Sequence, residues 1–109
     1  MKPRIALTGL LALAGCLLSL SGCGGSVSVP KNASPGLRVF DNATCGSCHT
    51  LAAASSHGTA GPNLNGRNLD PAAVEHWVRT GGNGMPDFSD QLSAQQISQL
   101  AQFVAEASK

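Results

Sequence analysis

The sequence predicts an all-α domain of three helices and long loops, with a core completed by something that is not protein. Three observations lead there. Three segments carry apolar residues at helical spacing, and none reads as a strand. Thirteen Gly and six Pro among 109 residues demand long connections. Only four aromatic side chains, Phe40, Trp77, Phe88 and Phe103, are available to fill a core. A chain this short forms one domain, and so small a domain struggles to bury enough surface without a staple, a metal or a cofactor.

The domain is placed at residues 35–109. Its first helix begins after Pro35-Gly36 and carries Leu37, Val39 and Phe40 toward Cys45. The second has Asp70 as N-cap, Pro71 at its first position and Gly81 closing its end. Val74, Trp77 and Val78 form its apolar stripe. The third opens with Ser93 and Gln96 as a capping box, then sets Ile97, Leu100, Phe103 and Val104 on one face. Residues 50–69 and 81–92 read as irregular, and loops of that length in a compact domain are expected to wrap a ligand. The Ala/Ser-rich part, 50–62, suggests no role of its own.

Residues 1–22 read as a secretory signal, with Lys2 and Arg4 ahead of a charge-free apolar run over 5–20. That run is shorter than the roughly 20 residues a membrane-spanning helix needs. Leu20-Ser21-Gly22-Cys23 resembles a bacterial lipobox, whose Cys is acylated and becomes the mature N-terminus; Leu13-Ala14-Gly15-Cys16 offers an alternative. Cys23 is favoured, because processing at Cys16 would leave Leu17, Leu18 and Leu20 on the mature chain. Residues 23–34 then form a lipid-anchored flexible tether rich in Gly, Ser and Pro. Anchoring by two or more acyl chains is stable where one is marginal. The expected location is the cell envelope, on the outer side of a bacterial membrane.

Cys45-Gly46-Ser47-Cys48-His49 is a C-x-x-C-H sequence, the attachment signature of c-type haem. Two thiols three positions apart on a helical turn can each bond one vinyl-derived carbon of a porphyrin edge, and the adjacent His49 reaches the iron. The small Gly46 and Ser47 would let the porphyrin approach the backbone. Three other readings are weaker. A thioredoxin-like site wants a βαβ context, and zinc wants four ligands, usually as two separated pairs. A disulfide between Cys45 and Cys48 would close a tiny ring and stabilise little. For the second axial ligand the sequence points to Met85, in the Gly-rich stretch Gly81-Gly82-Asn83-Gly84-Met85-Pro86. A lone Met is ordinarily a gap-filler, but a conformationally permissive loop changes that weighing. His57, in a Ser/Ala/Gly loop, and His76, on the polar side of the second helix, are the rival ligands.

Taken in order, these elements resemble a small monohaem class I bacterial cytochrome c, anchored as a lipoprotein. The resemblance covers residues 36 to about 105. It rests on Gly36 and Phe40, the CGSCH motif, Gly61-Pro62-Asn63-Leu64, the V-x-x-W-V helix, Gly84-Met85-Pro86 and the final L-x-x-F-V. It implies three helices and long loops wrapped around one covalent haem c, with the first and last helices crossing near Gly36 and Phe103. It also implies that the Pro62 carbonyl accepts a hydrogen bond from His49, which would fix the ring and raise its basicity. Leu64 and Trp77 would pack on the porphyrin, with helix core an equal reading for Trp77. Arg67 would pair with a propionate or lie solvated.

His/Met ligation leaves no open position, so the expected function is one-electron transfer rather than catalysis, in a respiratory or related envelope chain. The partners would be a redox donor and acceptor at the membrane, with the protein itself a monomer. Two other readings stand beside it: a fixed electron-entry subunit of a membrane redox complex, and a small haem peroxidase or gas sensor. Without residues 1–22, five basic residues face six acidic ones, and only Lys31 and Lys109 are lysines. That balance provides no nucleic-acid-binding face and little electrostatic steering, so a lysine-ring docking surface is not expected.

Overall fold

The computed structural model describes residues 31–109. The segment 1–22, Cys16, Cys23 and the tether up to residue 30 lie outside the described residues.

Ser34 starts helix α1 (Pro35–Asn42) by accepting a hydrogen bond from the Leu37 N–H, at 3.2 Å. The pre-set φ of Pro35 then suits the first helical position. The helix thus begins ahead of Gly36 rather than after it. Gly36 serves packing: a Cβ there would collide with the Gln99 carbonyl and the Phe103 Cβ. Its bare backbone lets α1 lie directly on helix α3 (Ala94–Ala107). One turn on, the Phe40 and Phe103 rings meet edge to face with centroids 5.9 Å apart.

Helix α2 (Pro71–Thr80) has Asp70 as its N-cap, bonded to the Ala72 N–H at 2.8 Å, and ends at Gly81 with φ +62. At α3 the capping box is reciprocal, Ser93 and Gln96 each bonding the other's backbone N–H. Val39, Phe40, Leu51, Val78, Ile97, Leu100 and Val104 form the buried cluster that joins all three helices. At the far end of α3, the buried Ser108 accepts a bond from the Leu69 N–H at 3.0 Å. Its carbonyl accepts from Asn68 at 2.8 Å, so the chain entering α2 is tied to the end of α3.

Two expectations need correction. The first is that no strand forms. Strands β1 (Thr50–Leu51) and β2 (Ser56–His57) pair antiparallel, Thr50 opposite His57 and Leu51 opposite Ser56. They flank a single 3-10 turn at Ala52–Ala54. Strands of two residues are too short to show a period of two. The second concerns Trp77, whose side chain is 47% exposed while Val78 is buried and Val74 half-buried. Successive helical positions differ by about 100°, and α2 rests on the core through Val78, which leaves Trp77 at the rim. The reading of Trp77 as helix core therefore fails.

Gly36→Ala tests the contact between α1 and α3. Alanine gains helix propensity of under about 1 kcal/mol, but overpacking a dense contact costs about 1–3 kcal/mol. The net expectation is a lower thermal midpoint of the holoprotein by calorimetry; an unchanged or higher midpoint would refute the close approach.

Candidate cofactor site

After α1, Thr44 takes a left-handed conformation (φ 60), which redirects the chain into a single 3-10 turn at Cys45–Ser47. The turn is closed by the Cys45 carbonyl, which accepts from the N–H groups of Cys48 at 3.2 Å and His49 at 3.0 Å. Both thiols are free; that of Cys48 is exposed, while Cys45 packs against the core cluster. Burial pushes the Cys45 thiol up to about 11, with Asp41 adding to the effect. Its place therefore suits an uncharged sulfur, and a thioether is one.

His49 follows at once, and its Nδ1 lies 2.8 Å from the Pro62 carbonyl oxygen. A carbonyl only accepts, so Nδ1 carries the proton and donates. This sets the tautomer and leaves Nε2 with its lone pair free for a metal. The Pro62 contact thus agrees with what the resemblance implied.

The 50–62 segment, which suggested no role, holds this turn in place. Ser56 Oγ donates to the His49 carbonyl at 2.9 Å and accepts from the Leu51 N–H at 3.0 Å. Thr50 Oγ1 donates to the Gly58 carbonyl at 2.7 Å, and the Gly61 N–H donates to the Cys48 carbonyl at 2.7 Å. A Cβ on Gly58 would stand 2.6 Å from the Cys48 backbone N and C. On Gly61 it would stand 2.7 Å from the His49 ring carbon Cε1. Gly46 packs against Ser56 and Phe40, so one function of its small size is protein packing. The sequence singled out Gly61 only as part of the Gly61–Leu64 run and passed over Ser56 and Gly58, because each acts on residues brought near by the hairpin.

The other predicted residues fall into two groups. Leu64 and Met85 lie half-buried against the core cluster that Cys45 also touches. Leu64 is held there by its N–H on the Thr50 carbonyl at 2.9 Å. Met85 sits at the end of a tight turn begun by Gly82. Trp77 and Arg67 are exposed instead, Arg67 bonding the Asn63 carbonyl through Nε at 2.9 Å. Of the rival ligands, His57 is an exposed residue of β2 rather than of a loop, and His76 is exposed on α2, edge-on to Trp77.

Two thiols on one turn beside an imidazole with a free Nε2 are the donor set of haem c rather than of a bare ion. Among the described residues, no group of three or more His, Cys, Asp or Glu could hold a metal ion. Leu64, Met85 and Phe88 are each half-buried against the same core cluster as Cys45, which leaves apolar area for a cofactor to cover.

Comparison with known proteins follows the same line. The family described as "Cytochrome C oxidase, cbb3-type, subunit III" matches residues 31–104. The c-type cytochrome SorU from Sinorhizobium meliloti is similar at 31% identity and TM-score 0.63, covering 68% of this chain and 87% of its own. Cytochrome c6C from Synechococcus sp. PCC 7002 is similar at 26% identity and TM-score 0.56, covering 68% and 94%. No curated protein matches. The chain belongs to the family of the cbb3-type oxidase subunit III domain; it is a small class I cytochrome c, and its cofactor is covalently bound haem c.

Gly61→Ala places a methyl group against the imidazole and is expected to shift the haem-bound His resonances in NMR of the holoprotein. Gly66→Ala is the control: φ is +67 there, but no atom lies within 4 Å. It should cost about 1–2 kcal/mol of backbone strain and leave those resonances in place. Identical spectra for both variants would refute the steric role of Gly61.

Proposed function

We propose that this cytochrome, a haem-based electron carrier by family, works with His49 and Met85 as axial ligands of a haem held by Cys45 and Cys48. The observation that carries the reading is the bond from His49 Nδ1 to Pro62, which offers Nε2 to the metal beside both thiols. Bound there, the haem iron supplies a one-electron couple whose potential an imidazole and thioether pair raises. The chain's own residues prepare that site. Pro62 orients the imidazole through its bond to Nδ1. Gly58 and Gly61 admit the hairpin that steadies the attachment turn. Leu64 and Met85 line an apolar edge, and Trp77 and Arg67 are assigned to the surroundings of the porphyrin and its propionates.

Docking is assigned to the surface around the attachment turn. Residues 42–66 contain no Asp, Glu, Lys or Arg, while Cys48, Ala52, Ala53 and Pro62 are exposed along them. A face without charge neither steers nor repels a partner over distance. The partners would be a donor and an acceptor that meet it through small apolar contacts.

Residues 1–22 are proposed as a lipoprotein signal, with Cys23 as the acylated N-terminus and 23–34 as the tether of a monomeric domain on the outer side of the membrane. No helix among the described residues is long and apolar enough to cross a membrane. Tethering keeps the domain at high effective concentration beside membrane partners. The family's description as an oxidase subunit favours a second reading, a fixed electron-entry subunit. Detergent extraction separates them, a carrier emerging alone and a subunit with its complex.

The ferric holoprotein should show the weak far-red band of Met sulfur on haem iron. Met85→Ala should abolish that band and change the spin state while the haem stays attached; an unaltered spectrum would remove Met85 from the iron. Cys23→Ala should release the protein from the membrane to the soluble envelope fraction. Persistent membrane binding would point to Cys16 or to an uncleaved signal.

A further inference from the structure

The segment that carries Met85 is built as a fastened turn. Gly82 and Met85 exchange both backbone hydrogen bonds, at 2.9 and 3.0 Å, across Asn83 (φ 52) and Gly84 (φ 89). Two successive positive φ angles at an Asn-Gly pair mark the type I′ turn of a two-residue hairpin. Both sides of the turn are attached to α2. On the near side, the Gly81 N–H donates to the Trp77 carbonyl at 2.7 Å. A Cβ on Gly81 would lie 2.6 Å from the Met85 carbonyl oxygen, so the chain doubles back on itself closely. On the far side, the Phe88 N–H donates to the Val78 carbonyl at 2.9 Å. Beyond Pro86, the Asp87 carboxylate accepts from both the N–H and the hydroxyl of Ser89, at 2.7 and 2.6 Å. Gln91 and Leu92 close the segment by donating to the Phe88 carbonyl.

We propose that Asn83 and Gly84 are positioning residues. Their left-handed pair closes a clasp, attached to α2 at Trp77 and Val78, that holds the Met85 backbone in place and so sets how well its thioether resists displacement by an external ligand. The inference rests on Met85 as the axial ligand. A ligand on a loose loop must be ordered each time it binds, and a competitor gains whatever freedom the loop recovers on release. Here that ordering is met when the protein folds. A competitor frees only the Met85 side-chain torsions unless the clasp opens and its hydrogen bonds break. Asn tolerates the left-handed region and Gly adopts it without strain, whereas a β-branched residue at that φ is an outlier.

The test is an imidazole titration of the ferric holoprotein, followed by loss of the far-red Met–iron band. Asn83→Val and Gly84→Ala each force an unsuited side chain into positive φ. Each should weaken the band before imidazole is added and raise imidazole affinity about tenfold. Asn83→Gly should behave as the unsubstituted protein, because glycine keeps the turn. Gly36→Ala, which loosens the α1–α3 contact away from the turn, should melt earlier and leave imidazole affinity unchanged. Full bands and unchanged affinity in both Asn83→Val and Gly84→Ala would overturn the clasp, as would an equal rise in Gly36→Ala. Absence of the band from the unsubstituted protein would instead overturn the ligation reading, and the two failures are thereby distinguished.

Discussion

Backbone packed directly on backbone holds the Cys45–His49 turn, and the surrounding structure depends on that closeness. Residues 56–62 lie against the turn, and they fit there only because positions 58 and 61 have no side chain. The hairpin can then reach the His49 carbonyl with the Ser56 hydroxyl and receive the Gly61 N–H on the Cys48 carbonyl. The same path brings the Pro62 carbonyl to the imidazole. Two free thiols and a correctly protonated histidine are thus present on a segment whose helical part is one 3-10 turn, too short to be stable alone.

A comparable economy of side chains joins the helices. Gly36 admits α3 onto α1, and among the described residues the buried cluster has seven members, one of them aromatic. Cys45, Leu64, Met85 and Phe88 are half-buried at its margin and would lose further exposed area beneath a flat apolar group. Apolar burial stabilises by roughly 25 cal/mol per Å², so a haem resting on that margin would contribute to the fold as well as to the chemistry.

What could be read from the sequence was local in cause. The caps at Asp70 and Ser93, the proline at position 71 and the glycine closing α2 each act within a few residues and lie where the sequence puts them. The CGSCH motif was equally legible because its chemistry is contained in five consecutive residues. Trp77 was not, because a helical stripe gives a direction but not the width of the surface that covers it. Gly58, and the steric role of Gly61, were hidden for a related reason: their neighbours, Cys48 and His49, are ten and more positions away and meet them only through the hairpin. The Asn83-Gly84 turn was legible in principle, since Asn-Gly is a strong hairpin pair. A reading of 81–92 as permissive glycine-rich loop passed over it.

The backbone hydrogen bonds that fasten 81–92 and the absence of charge along 42–66 bear on the same demand. An electron carrier reacts fastest when little must move as its charge changes, in the protein or in its contact with a partner. Under the proposed ligation, a Met85 backbone tied to α2 by carbonyl and amide bonds would keep its place in both oxidation states. Under the proposed docking, a face without Asp, Glu, Lys or Arg would have no ion pairs to form before transfer or to break after it. Charged surfaces gain encounter rate by steering, an advantage that matters for partners diffusing through solution. Under the proposed tethering the domain would have that advantage from effective concentration, so a neutral face would lose little in encounter while leaving the complex easy to release.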